Sequence, residues 1–294
     1  MDEDKTNTPN ILTVVIPAYN EQAGVVATIN EICEVLGNAS IAAEIIVVDD
    51  GSTDQTATEA ESCGVRVIRH SRNQGYGASL KNGILASTSE FVMITDADGT
   101  YPAQVIPQLM EQSHKMDMVV GARSLNSAGI PMVRRPAKWL LTRLAEYLAG
   151  RKIPDLNSGM RIFRRSELLG FLSILPAGFS FTTTITLGML CNNRRVTYVP
   201  IEYRKRLGVS KIKPSDFLSF IILVLRTIVL FNPLKVFLPL GATLFVMGMA
   251  KFVYDLFLWD LSESAIMALL AAINIWSLGL LADMIGRIHL RPPE

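Results

Sequence analysis

The sequence predicts an α/β protein built on a mostly parallel sheet, followed by an interfacial helix and a two-helix membrane hairpin. Three observations predict it. Short β-branched runs alternate with segments of helical period through about residue 213, and Gly-, Asn- and Asp-rich turns close those runs. Residues 217–285 then carry few charges. The chain has 294 residues, 49% of them apolar, and a mean hydropathy of +0.31. That apolar excess lies in the C-terminal part. It divides the chain into a domain over 1–213, an amphipathic helix over 214–232, and a hairpin over 233–294 with spans at about 233–258 and 265–285.

Residues 11–16 (ILTVVI) form a β-branched run that ends at Pro17, the pattern of a buried strand. Asn20 is placed to cap a helix over about 21–37, with Val25, Ile29, Ile32 and Leu36 at helical spacing. A second strand at 44–48 (EIIVV) stops at Asp49-Asp50-Gly51. Ser52 or Thr53 is placed to cap a helix through Ser62. Strands at 65–69, 91–95 and 118–121 alternate with helices at 75–86 and 102–115. Such alternation gives right-handed crossovers on a mostly parallel sheet. Ligands of such sheets bind beyond the carboxyl ends of the strands.

Beyond residue 123 the pattern loosens. Residues 131–150 read as a basic amphipathic helix, with Trp139 suited to a membrane interface. Residues 216–231 are apolar but only 16 long. At about 1.5 Å per residue they reach roughly 24 Å, short of the ~30 Å hydrocarbon core. They read as an interfacial helix. The two segments that follow are long enough to cross. Lys235 precedes the first, Arg287 and Arg291 follow the second, and the connector 259–264 is acidic. Basic flanks stay in the cytoplasm, so both termini and the first domain are expected there. The acidic, polar N-terminus (MDEDKTNTPN) is no signal peptide. Lys251 and Asp255 stand four apart, a hint of helix association and of a homo-oligomer.

A net charge of +1 gives no electrostatic case for nucleic acid. Cys33, Cys63 and Cys191 lack metal-ligand spacing and read as reduced, buried thiols. His70, His114 and His289 are scattered and read as structural or surface groups.

The chemistry gathers at the strand ends. Asp96 and Asp98 stand one residue apart in MITDADGTYP. At a strand end such side chains point the same way, and two carboxylates so placed repel unless a cation lies between them. A turn accounts for the pair; so does a Mg²⁺ or Mn²⁺ ion that takes carboxylate, phosphate and water oxygens. Asp49-Asp50-Gly51-Ser52 reads either as strand-to-helix turn chemistry or as an acceptor for a base or ribose.

The combination is more specific than its parts. IPAYNE (16–21), EIIVVDDGSTD (44–54), NQGYGASLKNG (73–83) and TDADGTYP (95–102) follow in order. Together they resemble the nucleotide-sugar half of a family-2 glycosyltransferase with the GT-A fold. DLNSGMRIF (155–163), PIEYRKRLGVSK (200–211) and the helical tail resemble the polyprenyl-phosphate glycosyltransferases, the dolichol-phosphate mannose synthase group. The resemblance implies roles. Pro17, Tyr19 and Glu21 line the nucleotide pocket, with Val47 and Asp49 near the base. Asp96 and Asp98 bind metal and diphosphate, with Ala97 between them touching ribose or phosphate. Arg123 meets phosphate. Lys205, Arg206 and Lys211 belong to a basic run, with Ser210 beside Lys211. Ser158 and Arg161, with Arg123, receive the acceptor phosphate. Asp98, Arg123 and Lys211 are the catalytic candidates. Thr100 stands where many of these synthases carry glutamine, so donor preference does not transfer.

The expected reaction is an inverting transfer of one hexose, from GDP-mannose or a UDP-hexose, to a polyprenyl phosphate at the cytoplasmic face. A phosphomonoester is already anionic at pH 7 (second pKa about 6) and needs positioning more than a base. The Gln-x-x-Arg-Trp signature of processive polysaccharide synthases does not occur. Transfer to a hydroxyl acceptor, and a catalytically silent nucleotide-binding scaffold, are the rival readings.

Overall fold

The structure is a computed structural model. It describes residues 11–123, 135–178, 180–204, 226, 229–259 and 262–289. The chain separates into two compact units, residues 1–146 with 151–212, and residues 147–150 with 213–294.

The first unit is a seven-stranded mixed sheet, mostly parallel, flanked by helices. Its strands are β1 (Leu12–Ala18), β2 (Ala43–Asp49), β3 (Arg66–Arg69), β4 (Phe91–Ile94), β5 (Met118–Arg123), β6 (Arg161–Arg164) and β7 (Val196–Ile201), in the order β3-β2-β1-β4-β6-β5-β7. β6 runs antiparallel between β4 and β5, and every other pairing is parallel. The carboxyl ends of β1, β2, β4 and β5 and the start of β6 therefore share one edge.

The helices of this unit are α1 (Val25–Asn38), α2 (Thr56–Ser62), α3 (Tyr76–Ala86), α4 (Ile106–Ser113), α5 (Arg135–Ala149, whose last turn belongs to the second unit), α6 (Arg165–Leu169) and α7 (Phe181–Cys191). α1 buries Val25, Ile29, Ile32 and Leu36, the stripe read from its spacing. Each such side chain contributes about 1.5–3 kcal/mol when fully buried. The helix expected over 102–115 divides into a 3₁₀ turn at Ala103–Val105 and α4. Pro107 explains the break, because a residue without an N–H fits a helix's first turn and not its interior.

Asn20 caps nothing. α1 starts at Val25, after Gly24, while Asn20 takes a left-handed φ of 50°. Its Oδ1 accepts from Thr53 N at 2.9 Å and its N–H donates to Ser52 Oγ at 2.9 Å. Ser52 and Thr53 thus tie the β1 and β2 loops together, and neither caps α2. α2 starts after Gln55 with no side-chain cap, and Asp54 Oδ1 accepts from Thr56 N at 3.0 Å in the turn before it. Cys33 is exposed, not buried, Cys63 and Cys191 are half-buried, and none of the three forms a disulfide.

The second unit holds α8 (Leu234–Leu258) and α9 (Glu263–His289). Both are long and apolar enough to cross a membrane, with mean hydropathies of 1.8 and 2.1. Only 11% and 17% of their most apolar stretches are buried, which argues against the core helices of a soluble fold. Pro239 inside α8 lacks the N–H that would bond the Lys235 carbonyl. Tyr147 Oη donates to that carbonyl at 2.8 Å, and Lys235 Nζ donates to the carbonyl of Leu148 at 2.8 Å. Lys251 and Asp255 pair along α8, and Asp255 also accepts from Ser262 N at 3.1 Å. The pair is used within the chain and gives no support to an oligomer.

Candidate active site

Three carboxylates converge on the sheet edge because β1, β2 and β4 are adjacent and parallel. Asp49 ends β2 and is 4% exposed. Its Oδ2 accepts from Ser52 N at 3.3 Å. Its Oδ1 is buried with no hydrogen-bond partner. An orphaned buried carboxylate oxygen is costly, about 1–3 kcal/mol or more, and marks a place where a ligand's donor belongs. Pro17 lies buried in β1, paired with Val48. Tyr19 and Glu21 follow it half-buried, and the Glu21 N–H donates to Thr56 Oγ1 at 2.9 Å. Val47 is fully buried in the apolar core. Its side chain packs into that core, two residues before Asp49 on the same strand.

Asp96 and Asp98 follow β4. The Tyr76 hydroxyl donates to Asp96 Oδ1 at 3.0 Å. Gly159 lies against the same carboxylate, where a Cβ would come within 2.7 Å of Oδ2. Asp98 is 6% exposed, and its Oδ1 accepts from Thr100 Oγ1 at 2.6 Å and Thr100 N at 3.2 Å. Ala97 is buried, and its carbonyl accepts from Thr28 Oγ1 at 3.1 Å. Thr100 itself has no exposed surface. It orients Asp98 and is shielded from any donor.

Arg123 closes β5. Its Nε and Nη2 donate to the two oxygens of Asp155 at 2.7 and 2.9 Å, and its backbone N–H to Oδ2 at 3.1 Å. Burial alone would raise the Asp155 carboxyl; the Arg123 guanidinium outweighs it and holds the group below its usual range. The guanidinium also lies 5.4 Å from the Tyr203 ring centroid. Tyr101, edge-on to Tyr203, accepts from Gly159 N at 2.6 Å. Burial and then the Asp96 charge push the Tyr101 phenol up.

Two expected acceptor-phosphate residues are placed elsewhere. Ser158 is fully buried and donates to the Gly121 carbonyl at 2.5 Å. Arg161 is the largest fully buried side chain. Its guanidinium donates to the carbonyls of Ser158, Leu156 and Thr182 at 2.7, 2.9 and 3.1 Å, and to Thr186 Oγ1 at 2.6 Å. Its donors are directed at the chain, so it braces the 155–160 loop instead of meeting a phosphate. Lys205, Arg206, Ser210 and Lys211 lie outside the described residues.

Sequence reasoning missed Tyr76, Tyr101 and Asp155. Each stands inside a quoted motif, and the signal was a hydrogen-bonding side chain among the motif's glycines and apolar residues. His70 is structural, as expected: its Nδ1 lies 2.7 Å from Asp50 Oδ1 and its Nε2 2.7 Å from Asn82 Nδ2.

The donor set suits a hard divalent cation. Among the described residues no group of three or more His, Cys, Asp or Glu side chains gathers to hold a metal. Two carboxylates held by hydroxyls can supply part of an oxygen shell and leave the remainder to phosphate and water, the habit of Mg²⁺ and Mn²⁺.

The chain is similar to several known proteins. A dolichyl-phosphate hexose transferase of Haloferax volcanii is 33% identical over 69% of this chain and 87% of its own length. An undecaprenyl-phosphate 4-deoxy-4-formamido-L-arabinose transferase of Pseudomonas paraeruginosa is 26% identical over 95% of this chain and 86% of its own. Among solved structures, glucosyl-3-phosphoglycerate synthase of Mycobacterium tuberculosis, in complex with Mn²⁺, UDP-glucose and phosphoglyceric acid, has a TM-score of 0.59. It is 22% identical and aligns over 75% of this chain and 81% of its own, a likeness of fold. The description "GtrB C-terminal hairpin" fits residues 232–288, the segment of α8 and α9. The description "Glycosyl transferase family 2" fits residues 13–169, from β1 through α6. The chain belongs to glycosyl transferase family 2.

Proposed function

We propose that the protein transfers one hexose from a nucleotide sugar to a polyprenyl phosphate at the cytoplasmic face of a membrane, with inversion at the anomeric carbon. The observation that carries this reading is the union in one chain of two oriented carboxylates, Asp96 and Asp98, with a C-terminal pair of membrane-length apolar helices. Two relatives support it, a dolichyl-phosphate hexose transferase and an undecaprenyl-phosphate sugar transferase.

In this reading the base of the nucleotide donates to the orphaned Asp49 Oδ1. Asp96 and Asp98 would hold Mg²⁺ or Mn²⁺, and a divalent cation there would supply Lewis-acid charge for the departing diphosphate. Arg123, fixed by Asp155, faces phosphate. An acceptor phosphate oxygen forms the new bond to the anomeric carbon as the bond to the nucleoside diphosphate breaks. No side chain needs to remove a proton first, because the acceptor is already an anion. Lys205, Arg206 and Lys211 stay candidates for phosphate on sequence grounds, with Lys211 in a catalytic role. α8 and α9 cross the bilayer with both chain termini in the cytoplasm.

The test is transfer by purified protein. With Mn²⁺ and a polyprenyl phosphate, a panel of GDP-mannose, UDP-glucose, UDP-galactose and UDP-N-acetylglucosamine is expected to yield one lipid-linked monosaccharide labile to mild acid. An acid-stable glycoside indicates a hydroxyl acceptor. No product from any donor refutes the reading.

A further inference from the structure

The motif NQGYGASLKNG has no task in the mechanism above, yet it forms the most constrained turn at the site edge. Asp50, 3% exposed, follows β2 and holds this turn from below. Its Oδ1 accepts from Gln74 N and its Oδ2 from Gly75 N, each at 2.8 Å. His70, 9% exposed, meets the same Oδ1 at 2.7 Å, and Asn82 on α3 backs the far side of the imidazole. From above, backbone presses on the turn. Gly75 has φ +102°, and a Cβ there would stand 2.7 Å from the Ala177 carbonyl oxygen. A Cβ at Gly77 would stand 2.2 Å from that of Pro176. Ala78 N donates to the Ala177 carbonyl at 3.0 Å. Between two positions that tolerate no side chain, the motif places one large one. It is Tyr76, and its hydroxyl reaches Asp96 Oδ1 at 3.0 Å.

We infer that Tyr76 is a positioning residue that sets the orientation of the Asp96 carboxylate toward a divalent cation, with Asp50 and His70 holding the turn that carries it. The inference rests on the metal role proposed for Asp96. The backbone does not settle the direction of a carboxylate, since the torsion that turns an Asp carboxyl is broad. A hydrogen bond from a fixed donor does settle it, as outer-shell partners do for metal ligands generally. A phenol keeps its proton at neutral pH, so the hydroxyl is the donor at the 3.0 Å contact with Asp96 Oδ1. Its proton fixes one direction on Oδ1 and so the plane in which the carboxylate is presented.

The test uses the full chain in detergent. Mn²⁺ is titrated into the parent and into Tyr76→Phe, with the free ion read by EPR. Tyr76→Phe keeps the ring and removes only the hydroxyl. Its Mn²⁺ dissociation constant is expected to rise about tenfold or more, with a melting temperature within a few degrees of the parent. In an Asp96→Asn background, Tyr76→Phe is expected to change Mn²⁺ affinity no further. Mn²⁺ affinity within twofold of the parent, or an equal loss in both backgrounds, overturns the positioning role and leaves the proposed function standing. A parent that binds no Mn²⁺ overturns the metal role of Asp96 itself, and this inference with it.

Discussion

Thr100 donates its hydroxyl to Asp98 at 2.6 Å from a position with no solvent exposure. A residue at the point where the resembling synthases often carry glutamine thus serves its neighbour and meets no donor directly. Thr100→Val keeps the shape and removes the hydroxyl. It is expected to lower kcat/KM by about 10–100-fold, the usual range for partners of metal ligands. Discrimination among nucleotide sugars is expected to stay within twofold. Steady-state kinetics with two donors decides; a changed donor ranking would make Thr100 a selector.

Asp49→Asn tests the orphaned oxygen. The amide keeps one acceptor, which the Ser52 N–H already uses, and turns the other position into a donor. A ligand N–H then meets an N–H. Calorimetry is expected to record a loss of about 10–100-fold in nucleoside diphosphate affinity, equivalent to ~1.4–2.8 kcal/mol. The melting temperature should hold. Undiminished nucleotide binding would place the base elsewhere.

Arg161→Met separates bracing from phosphate binding. The substitution takes the guanidinium away from the buried carbonyls of Leu156, Ser158 and Thr182; Thr186 Oγ1 still reaches those of Leu156 and Thr182, and the Ser158 carbonyl loses the donor shown for it, at about 1–3 kcal/mol. Thermal unfolding should shift down by many degrees. Arg161→Lys should recover little, because one ammonium cannot span acceptors arranged for a planar fork. A stable variant with only a raised KM for the lipid phosphate would restore the ligand role.

The Arg123–Asp155 pair predicts acid sensitivity with a definite sign. The Asp155 carboxyl is held below its usual range in the fold, so the folded protein binds its proton less readily than the unfolded chain. Stability from this pair is complete above the unfolded value of about 3.9 and drains away as pH falls through the lower, folded value. Melting curves from pH 7 downward should therefore lose stability below about pH 4. Asp155→Asn should start lower and fall less steeply across that range. Parallel profiles for the two proteins would exclude the pair as the cause.

Much of this was legible in the sequence. β4 is an unbroken apolar run, and β1 and β2 are mostly apolar, as strands covered on both sheet faces are. α1 shows its buried stripe at a plain helical period. α7 gave no such signal. Its FTTTITLGMLC is rich in β-branched residues and buried on nearly every side, so no polar face marks the helix. β6 was read as part of a motif and not as a strand. It is four residues long, RIFR, and its antiparallel entry needs no crossover helix to announce it. The roles of Ser158 and Arg161 were misread for a related reason. A polar residue in a glycine-containing motif looks the same whether it points at a ligand or into the chain, and only burial distinguishes the two. Asp49 and Asp50 make the point in adjacent residues: one keeps a buried oxygen without a hydrogen-bond partner, the other uses both on a turn.

β6 also governs the order in which the site can be made. β4 pairs with β1 on one side and β6 on the other, while β5 joins them only through β6, with β7 outside it at the edge. During synthesis the outer edge of β4, an uncharged FVMI, has no partner until residues 161–164 emerge. β5 arrives earlier and must not take that place, though it runs in the direction that would allow it. The Gly159 N–H that docks on Tyr101 joins residues 58 apart. Closure of the catalytic edge is thus a late, non-local event, slow by its contact order. Until it occurs, the nascent chain carries an open strand edge, the kind of template on which aggregation begins.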